Sequence, residues 1–587
     1  VGGITVRDLI LSGGVGATVY DGLNCYNDTG GQLSGLTVSN VSSTGWANGL
    51  SIGGATTGFG SITITGSAFY SNRDAGIITY GAAFSGSNYA NGNITITNCQ
   101  AYSNLGNSGN TSSATGNGIV LGSVSTALVD LCSAYSNGAN NAFTGAGPVG
   151  IWAYDSTAVT IQRSVAYNNS SGTIADGDGF DLDQNTSNST IQYCLAYGNK
   201  GAGILLFAQP STTTTTGNVV RYNLCWGNAK NTGLAYGELA VYGPVQSSTV
   251  FNNTLVARDN GTTNPVAVYV QTASNPSGVT IRNNILMSQS GNVVYDGTAD
   301  AISKVLFQGN DYYSTNGGTL ASWGGSSYST LALWRATITG QEVVSAVNTG
   351  ITTDPQLTTP ASTPTVTDPS VLTGAAGLAL LAASPAAAAG LDLSATFSTS
   401  VGTRDYFGVS LTSPYSIGAA ERDSGAVSAT TTVSSTVTAT RVGTAAVSAT
   451  TTAGSTVTAA LTVGATGTTT VGSTVTAFAT IAGFTFITVT GTYKNADGTF
   501  PAGKVTFTPT AAMRSTSAIL EAGTVTGRLN GSGVVSVSLA ATDDASTTPT
   551  GVTYLVVETI TGAPTRSYNI AVPHSGGSLD LATAAYA

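Results

Sequence analysis

The chain has 587 residues, too many for one hydrophobic core, so two or more domains are expected. Only 8% of residues are charged, about a third of the usual share, while 41% are apolar and 75 are glycine; this favours short strands and tight turns over disorder. The net charge of −10 argues against a nucleic-acid partner, which needs a basic face, and no run of about 20 apolar residues is present to span a membrane.

The first 300 residues repeat. The segments 62–72 (ITITGSAFYSN), 94–104 (ITITNCQAYSN), 127–137 (ALVDLCSAYSN), 159–169 (VTIQRSVAYNN) and 189–199 (STIQYCLAYGN) align on Ile64, Ile96, Val129, Ile161 and Ile191. Fainter copies precede them at Val6 and Val38 and follow at Val220, Val250, Ile281 and Leu306. Self-similarity at about 30 residues means that each unit stacks on its neighbours and cannot bury its apolar side alone. Cys99, Cys132 and Cys194 share one slot with Ser67 and Ser164, the mark of a small stacked buried side chain; no CxxC spacing supports a metal or redox role. No signal peptide is visible and the chain starts at Val1 rather than Met, which suggests processing or trimming.

Each unit holds a second strand signal led by Gly: Gly76–Tyr80, Gly118–Leu121, Gly150–Tyr154, Gly179–Asp183 and Gly203–Phe207. Short alternating runs without helical periodicity predict a single-stranded parallel β-helix. Alternation turns Ile77, Ile119, Ile151, Phe180 and Ile204 inward. It turns Tyr80, Trp152, Tyr154, Asp181, Asp183 and Phe207 outward. An outward column carrying aromatics around two carboxylates suits a glycan groove, with Tyr80, Trp152, Tyr154 and Phe207 as binding surfaces. The same column equally suits a contact between subunits.

These strings resemble the right-handed parallel β-helix repeat family, which includes pectate-lyase-like enzymes and phage tailspikes. Asp354-Pro355-Gln356-Leu357, Ser384-Pro385-Ala386 with Gly390, and Ile417-Gly418-Ala419 with Glu421 resemble its closing signature, with Ala388 where relatives carry Asp. The resemblance covers residues 1–422. The string 175–183 (ADGDGFDLD) resembles the D-G-F-D element of calcium-dependent pectate lyases. That resemblance implies Asp176, Asp178, Asp181 and Asp183 as Ca²⁺ ligands and Lys200, the one nearby Lys, as the base beside a uronate carboxylate. Lys200 also reads as a solvated turn lysine, and the Asp cluster as a structural ion site or capped turn. A hydrolase would instead use Asp181 and Asp183, about 6.5–7 Å apart as i, i+2 residues of one strand face.

Residues 423–478 are nearly all Ala, Thr, Val, Ser and Gly, with Ser-Thr-Val-Thr-Ala recurring at 435, 455 and 473. Alternation of Val with Thr predicts a β stalk that pairs strands between chains, or else an extended linker. Residues 479–587 carry six strand signals (485–493, 503–509, 523–529, 534–539, 552–559 and 567–572) and predict a β-sandwich. The words Gly503-Lys504-Val505-Thr506-Phe507-Thr508-Pro509 and Tyr568-Asn569-Ile570-Ala571-Val572-Pro573 resemble a module of actinobacterial phage minor tail proteins. The single His574, with no Ser or Cys motif around it, argues against a nucleophilic triad. These features together predict an all-β phage tail spike or minor tail protein of the virion tail. It would be a homotrimer in contact with other tail proteins, binding or degrading host-surface polysaccharide. The alternatives are a secreted calcium-dependent polysaccharide lyase or glycoside hydrolase, and a non-enzymatic structural surface protein.

Overall fold

The structure, a computed structural model, describes residues 3–14, 20–210, 212–230, 236–260, 265–271 and 275–421. It also describes five strands between 427 and 480, and residues 484–584 apart from 496, 516–518, 521, 531 and 576. The chain divides into two compact units, Val1–Arg422 and Asp423–Ala587.

The first unit is a parallel β-solenoid with three faces. Two faces belong to one 20-stranded sheet that bends at a corner, and the third is a 12-stranded sheet whose last strand, Ser326–Tyr328, is antiparallel. The repeat sets the register: Val6 pairs with Val38, then Ile64, Ile96, Val129, Ile161, Ile191, Val220, Val250 and Ile281. The last step corrects the sequence expectation, because Ile281 pairs with Phe307 and Leu306 lies against Thr280. Phe307 is buried and Leu306 is only half-buried. The inward residues of the third sheet, Ile77, Ile119, Ile151, Phe180 and Ile204, have no exposed surface, as alternation requires.

The corner between the first two faces is made by one residue per rung in the left-handed region, such as Asn98 (φ 53°), Asn252 (51°) and Gly309 (73°). Asn and Gly adopt this conformation at least cost. Inside the rungs run two asparagine ladders. Asn72, Asn104, Asn137, Asn169, Asn199 and Asn228 each donate a side-chain N–H to the amide oxygen one rung on, at 2.8–3.1 Å where the acceptor is another Asn. The last of them donates to Glu238 at 2.6 Å. The second ladder occupies the slot of Cys99, Cys132 and Cys194. It begins where that slot becomes Asn223 and continues through Asn253, Asn284 and Asn310 to Glu342. Each ladder thus ends on a carboxylate, which accepts where no further amide is available. The short helix Leu331–Thr337 closes one end of the core by setting Trp334 against Phe307 and Trp323, with ring centroids 5.4 and 5.2 Å apart.

The second face carries an outward tyrosine stack: Tyr70, Tyr102, Tyr135, Tyr167 and Tyr197, with ring centroids 4.7–5.0 Å apart. Residues 355–421, which bear the closing signature, fold back over the later rungs of this face. Leu357, Leu378, Leu380, Leu393, Ile417 and Ala419 bury Tyr222, Leu224, Phe251 and Ile285, and Trp226 donates to the Pro360 carbonyl at 2.8 Å.

In the second unit, Val427–Thr431 pairs in parallel with Val447–Thr451, and Val437–Val442 with Val457–Thr462, which pairs in turn with Thr476–Thr480. Pairing between chains was the expectation; the strands pair within one chain, in the register of the repeated words. The six strands expected after residue 479 form two antiparallel-paired sheets, of two and four strands, around Val489, Val505, Phe507, Val535, Val556 and Ile570. A further strand, Ser578–Asp580, joins the smaller sheet in parallel.

Candidate functional site

The third sheet presents its outward column as expected. Trp152 aligns with Asp181 and then with Leu205, and at the next outward position Phe207 pairs with Tyr242 of the following rung. Trp152 and Tyr154 are half-buried with ring centroids 5.1 Å apart, and Phe207 meets Tyr242 at 4.9 Å. Tyr154 leans back over Gly122, where a Cβ would lie 2.4 Å from the ring, so only glycine fits that rung. Tyr80 stands beyond Gly122, two rungs from Tyr154, and is not part of the cluster around the acids.

Asp181 is 2% exposed and Asp178 has no exposed surface, whereas Asp176 and Asp183 are half-buried. Each acid is engaged differently. Asp176 accepts from the Gly147 N–H at 2.5 Å and from the Tyr236 hydroxyl at 2.9 Å, tying one loop to two other rungs. Asp178 accepts from the Ala202 N–H through Oδ1, and its Oδ2 has no partner among the described residues. Asp181 projects from the sheet with Oδ1 buried and, among the described residues, unpartnered. Asp183 accepts from the Gln184 N–H. Leu205 and Ala240 are covered by Ala202, Ala229 and Tyr236, so an apolar wall stands beside Asp181.

Burial dominates the electrostatics. It pushes the Asp178 and Asp181 carboxyls well above the usual carboxylate range, helped by Asp176 beside the first and Asp183 beside the second. Burial likewise raises Asp176, and lifts Asp183 to about 8. The Tyr154 phenol is pushed up to about 12 by burial, with Asp155 and Asp183 adding to the shift. Among the described residues none of the four acids forms an ion pair. Lys200, expected as a base, donates from Nζ to the carbonyls of Ser171 (2.6 Å) and Thr173 (3.2 Å). It clamps a loop and does not reach toward the carboxylates. Arg163 is paired with Asp130, Nε to Oδ1 at 2.8 Å. Among the described residues no three His, Cys, Asp or Glu side chains converge to hold a metal. Of the four acids expected as calcium ligands, Asp176 and Asp178 accept from backbone N–H groups on different rungs, Gly147 and Ala202.

A cavity of about 470 Å³ adjoins the end of this strand. Asn185, Pro244 and Asn275 line it, one from each of three rungs, with Pro210 and Thr212–Thr214 from a fourth, so it runs along the solenoid. Asn185 also donates to Asp155 at 2.7 Å, and the Thr215 hydroxyl donates to the Asp183 carbonyl at 3.0 Å, which fixes the cavity to the acid rung. The only sequence signal for these residues is a Thr run at 212–216. In the second unit, His574 sets Nδ1 3.2 Å from Asp544, which also accepts from the Ser546 hydroxyl at 2.7 Å. Both groups face the carboxylate, so no hydroxyl is aimed at the imidazole as a nucleophile would be.

Residues 21–220 match the family model for the right-handed β-helix region. That match lies within the parallel β-solenoid described above. No curated protein matches the chain. Among solved structures the β-helix is similar to the pectate lyase Pel9A, at 17% identity over 72% of this chain and 83% of that one, with a TM-score of 0.34. It is similar to the periplasmic alginate epimerase AlgG at 14% identity over 50% of this chain and 67% of that one (TM-score 0.27). It is also similar to a DFA-IIIase from Arthrobacter chlorophenolicus A6 without its lid, at 10% identity over 51% and 65% (TM-score 0.29).

Proposed function

We propose that this protein is a phage tail spike or minor tail protein that binds host-surface polysaccharide along the outward face of the third sheet and hydrolyses it at Asp181 and Asp183. The observation that carries the site is Asp181: a carboxylate 2% exposed, with an oxygen that has no partner among the described residues, set between Trp152 and Leu205 on a rung whose end adjoins a hydroxyl-lined cavity. A buried acid without a partner costs stability, so its presence argues for a ligand that supplies the missing contact. Sugar hydroxyls donate to carboxylates, and sugar faces pack on rings such as Trp152 and Tyr154.

The chemistry favoured is hydrolysis. Asp183, lifted to about 8, holds its proton at neutral pH and so donates to the leaving glycosidic oxygen. A neighbour that has lost its proton takes one from the attacking water or attacks carbon itself. A lyase would need a free base, and the Lys200 ammonium is spent on two carbonyls. The tail role, the homotrimer and the virion location draw support from the wording of the C-terminal module and the 20-residue repeat before it; a secreted glycoside hydrolase is the second reading, favoured by the acid cluster alone.

The test is to incubate host cell-wall glycan with wild type and with Asp181→Asn/Asp183→Asn. Reducing ends should appear only with wild type. Equal release by both proteins would remove the assignment, and unsaturated products would replace hydrolysis by elimination.

A further inference from the structure

One outward column of the third sheet alternates between an aromatic ring and a residue that leaves room for it. Tyr26 pairs with Gly53, and Gly53 with Tyr80. Gly122, which follows the partner of Thr79, pairs in turn with Tyr154. Asp183 and Phe207 continue the column, each one position beyond the paired residues Leu182 and Leu206. Tyr26, Tyr80, Tyr154 and Phe207 therefore stand on every second strand, about 10 Å apart at ~4.8 Å per strand. The glycines decide how the rings lie. A Cβ on Gly53 would come within 2.9 Å of the Tyr80 ring, and one on Gly122 within 2.4 Å of the Tyr154 ring. Each of these two rings is folded back over the rung before it, with one face against the sheet and the other turned outward. The tyrosines of the second face, one on every rung, instead stack on one another at 4.7–5.0 Å and use up their faces. Tyr26 is 58% exposed, and Tyr80, Tyr154 and Phe207 are half-buried, so the column is open to a ligand.

We propose that this column seats an extended 1,4-β-linked glycan that lies along the solenoid with every second sugar packed on a ring; the proposal rests on the polysaccharide reading given above and names its linkage class. In such a ribbon successive sugars face opposite ways, so alternate units present the same face to one side, and two units span about the distance of two rungs. Sugar faces pack on ring faces. The sugars between the rings meet Gly53 and Gly122, which project nothing toward them. Between Tyr154 and Phe207 the intermediate position is Asp183, half-buried, so a chain seated on both rings crosses it. The outward neighbours of the first rings, Asn24, Ser51, Ile78 and Val120, carry no charge, which suits a neutral chain. An extended polypeptide repeats its side-chain faces every ~6.8 Å and falls out of step with the rings.

Calorimetric titration of the full chain, carrying Asp183→Asn to stop turnover, tests this with 1,4-β-linked N-acetylglucosamine oligomers of three to seven units. Seven-unit α-1,4-linked and β-1,3-linked glucose oligomers, which coil, are the comparison. Three units reach two rings, five reach three and seven reach four. Affinity should therefore rise about three- to tenfold at each odd length and little at each even one, the gain of one further ring contact. The coiling oligomers should bind at least about tenfold more weakly than the seven-unit ribbon. Tyr26→Ala, at an exposed position, should remove the gain from five units to seven. A smooth rise with length, equal binding of the coiling oligomers, or a gain that survives Tyr26→Ala would overturn the proposal. So would a change of subunit mass in Tyr26→Ala, which would assign the rings to a second copy. Pull-down of host cell-wall glycan with the same protein separates the two readings. If that glycan is retained while the 1,4-β oligomers fail to bind, only the linkage class falls; if neither binds, the polysaccharide reading falls with it.

Discussion

Replacing Asp181 by Asn should make the protein more stable and less active. The two side chains have nearly the same shape, so packing against Trp152 and Leu205 is kept. Asp181 is 2% exposed, has an unpartnered Oδ1 and stands among three other acids. In the fold it holds its proton to a higher pH than in the unfolded chain. Its carboxyl therefore lowers stability as pH rises from the ordinary carboxylate value of about 3.9 toward its own higher folded value, by about 1.4 kcal/mol per pH unit. Below 3.9 both states are protonated and the penalty is absent. Asn carries no such proton and incurs only the cost of a buried amide with incomplete partners, on the order of 1–3 kcal/mol.

The carboxylate penalty grows with pH and the amide cost does not, so the variant gains on the wild type as pH rises, by about 1–3 kcal/mol at pH 7, the range for relieving one buried unpaired group. Spread over the Val1–Arg422 unit, at about 2.1 cal/mol/K of unfolding entropy per residue, the gain raises the melting temperature by roughly 1–3 °C. Scanning calorimetry of the full chain at pH 4, 5.5 and 7 reads it: the variant's advantage should grow with pH. An advantage that is flat with pH, or a loss of more than about 1 kcal/mol at pH 7, would refute the account and mean that Asp181 makes a structural bond.

Three further substitutions test the frame around the site. Asn137→Ala should cost about 3–6 kcal/mol by urea unfolding: it strands the Asn104 N–H and Nδ2–H donors, the Ala101 carbonyl and one contact to Asn169, at roughly 1–3 kcal/mol for each buried group left unpaired; a loss below about 1 kcal/mol would show that the ladder contributes little. Glu238 has no exposed surface, and burial lifts its carboxyl to about 8 from an ordinary 4.5, so it keeps its proton in the fold where the unfolded chain has lost it. Its contribution to stability should fall by about 1.4 kcal/mol per unit between pH 4.5 and 8 and be level above, and Glu238→Gln should remove that slope in unfolding curves at pH 5, 6.5 and 8. Lys200→Met should loosen the loop at Ser171–Thr173, detected as faster amide exchange there, while glycan hydrolysis persists; a kcat lowered about 100-fold with the fold intact would return Lys200 to the chemistry.

The solenoid was legible because its period has one cause: every rung must bury its inward side chain, so Ile64, Ile96 and Ile161 recur at a nearly constant interval. It faded at Leu306, where the loops shorten and the inward position moves to Phe307. Alternation alone placed Asp181 and Trp152 on the outward face. It could not show that Asp176 turns to Gly147 and Tyr236, or that Lys200 turns to Ser171, because those partners come from loops on other rungs whose direction no period governs. The Asn of the A-Y-x-N motif was visible as a repeated letter but not as a hydrogen-bonded ladder, since a repeated polar residue inside a rung reads no differently from one in a turn. The return of residues 355–421 over the tyrosine face was illegible for the same reason: the contact between Trp226 and Pro360 joins positions that share no pattern.

The acid rung is tolerable because a solenoid confines its costs. In the sheet each rung pairs only with the one before and the one after, so destabilisation at Asp178–Leu182 falls mainly on its two neighbours. The two neighbouring rungs are held independently at the ladder corner, where Asn169 bonds Asn199 at 3.0 Å and Asn199 bonds Asn228 at 2.8 Å. Those bonds lie inside the rungs and do not involve the outward face. The outward face of one rung can therefore carry Asp181 and Asp183, and change them, while the inward face and its ladder keep the backbone in place. Such a division lets the residues that meet a ligand be destabilising without loosening the geometry in which they are presented. The same division predicts where altered specificity would arise by substitution: at the outward positions Trp152, Asp181, Asp183 and Phe207, whose replacement leaves every ladder bond in place, and not at Phe180 or Leu182, which have no exposed surface.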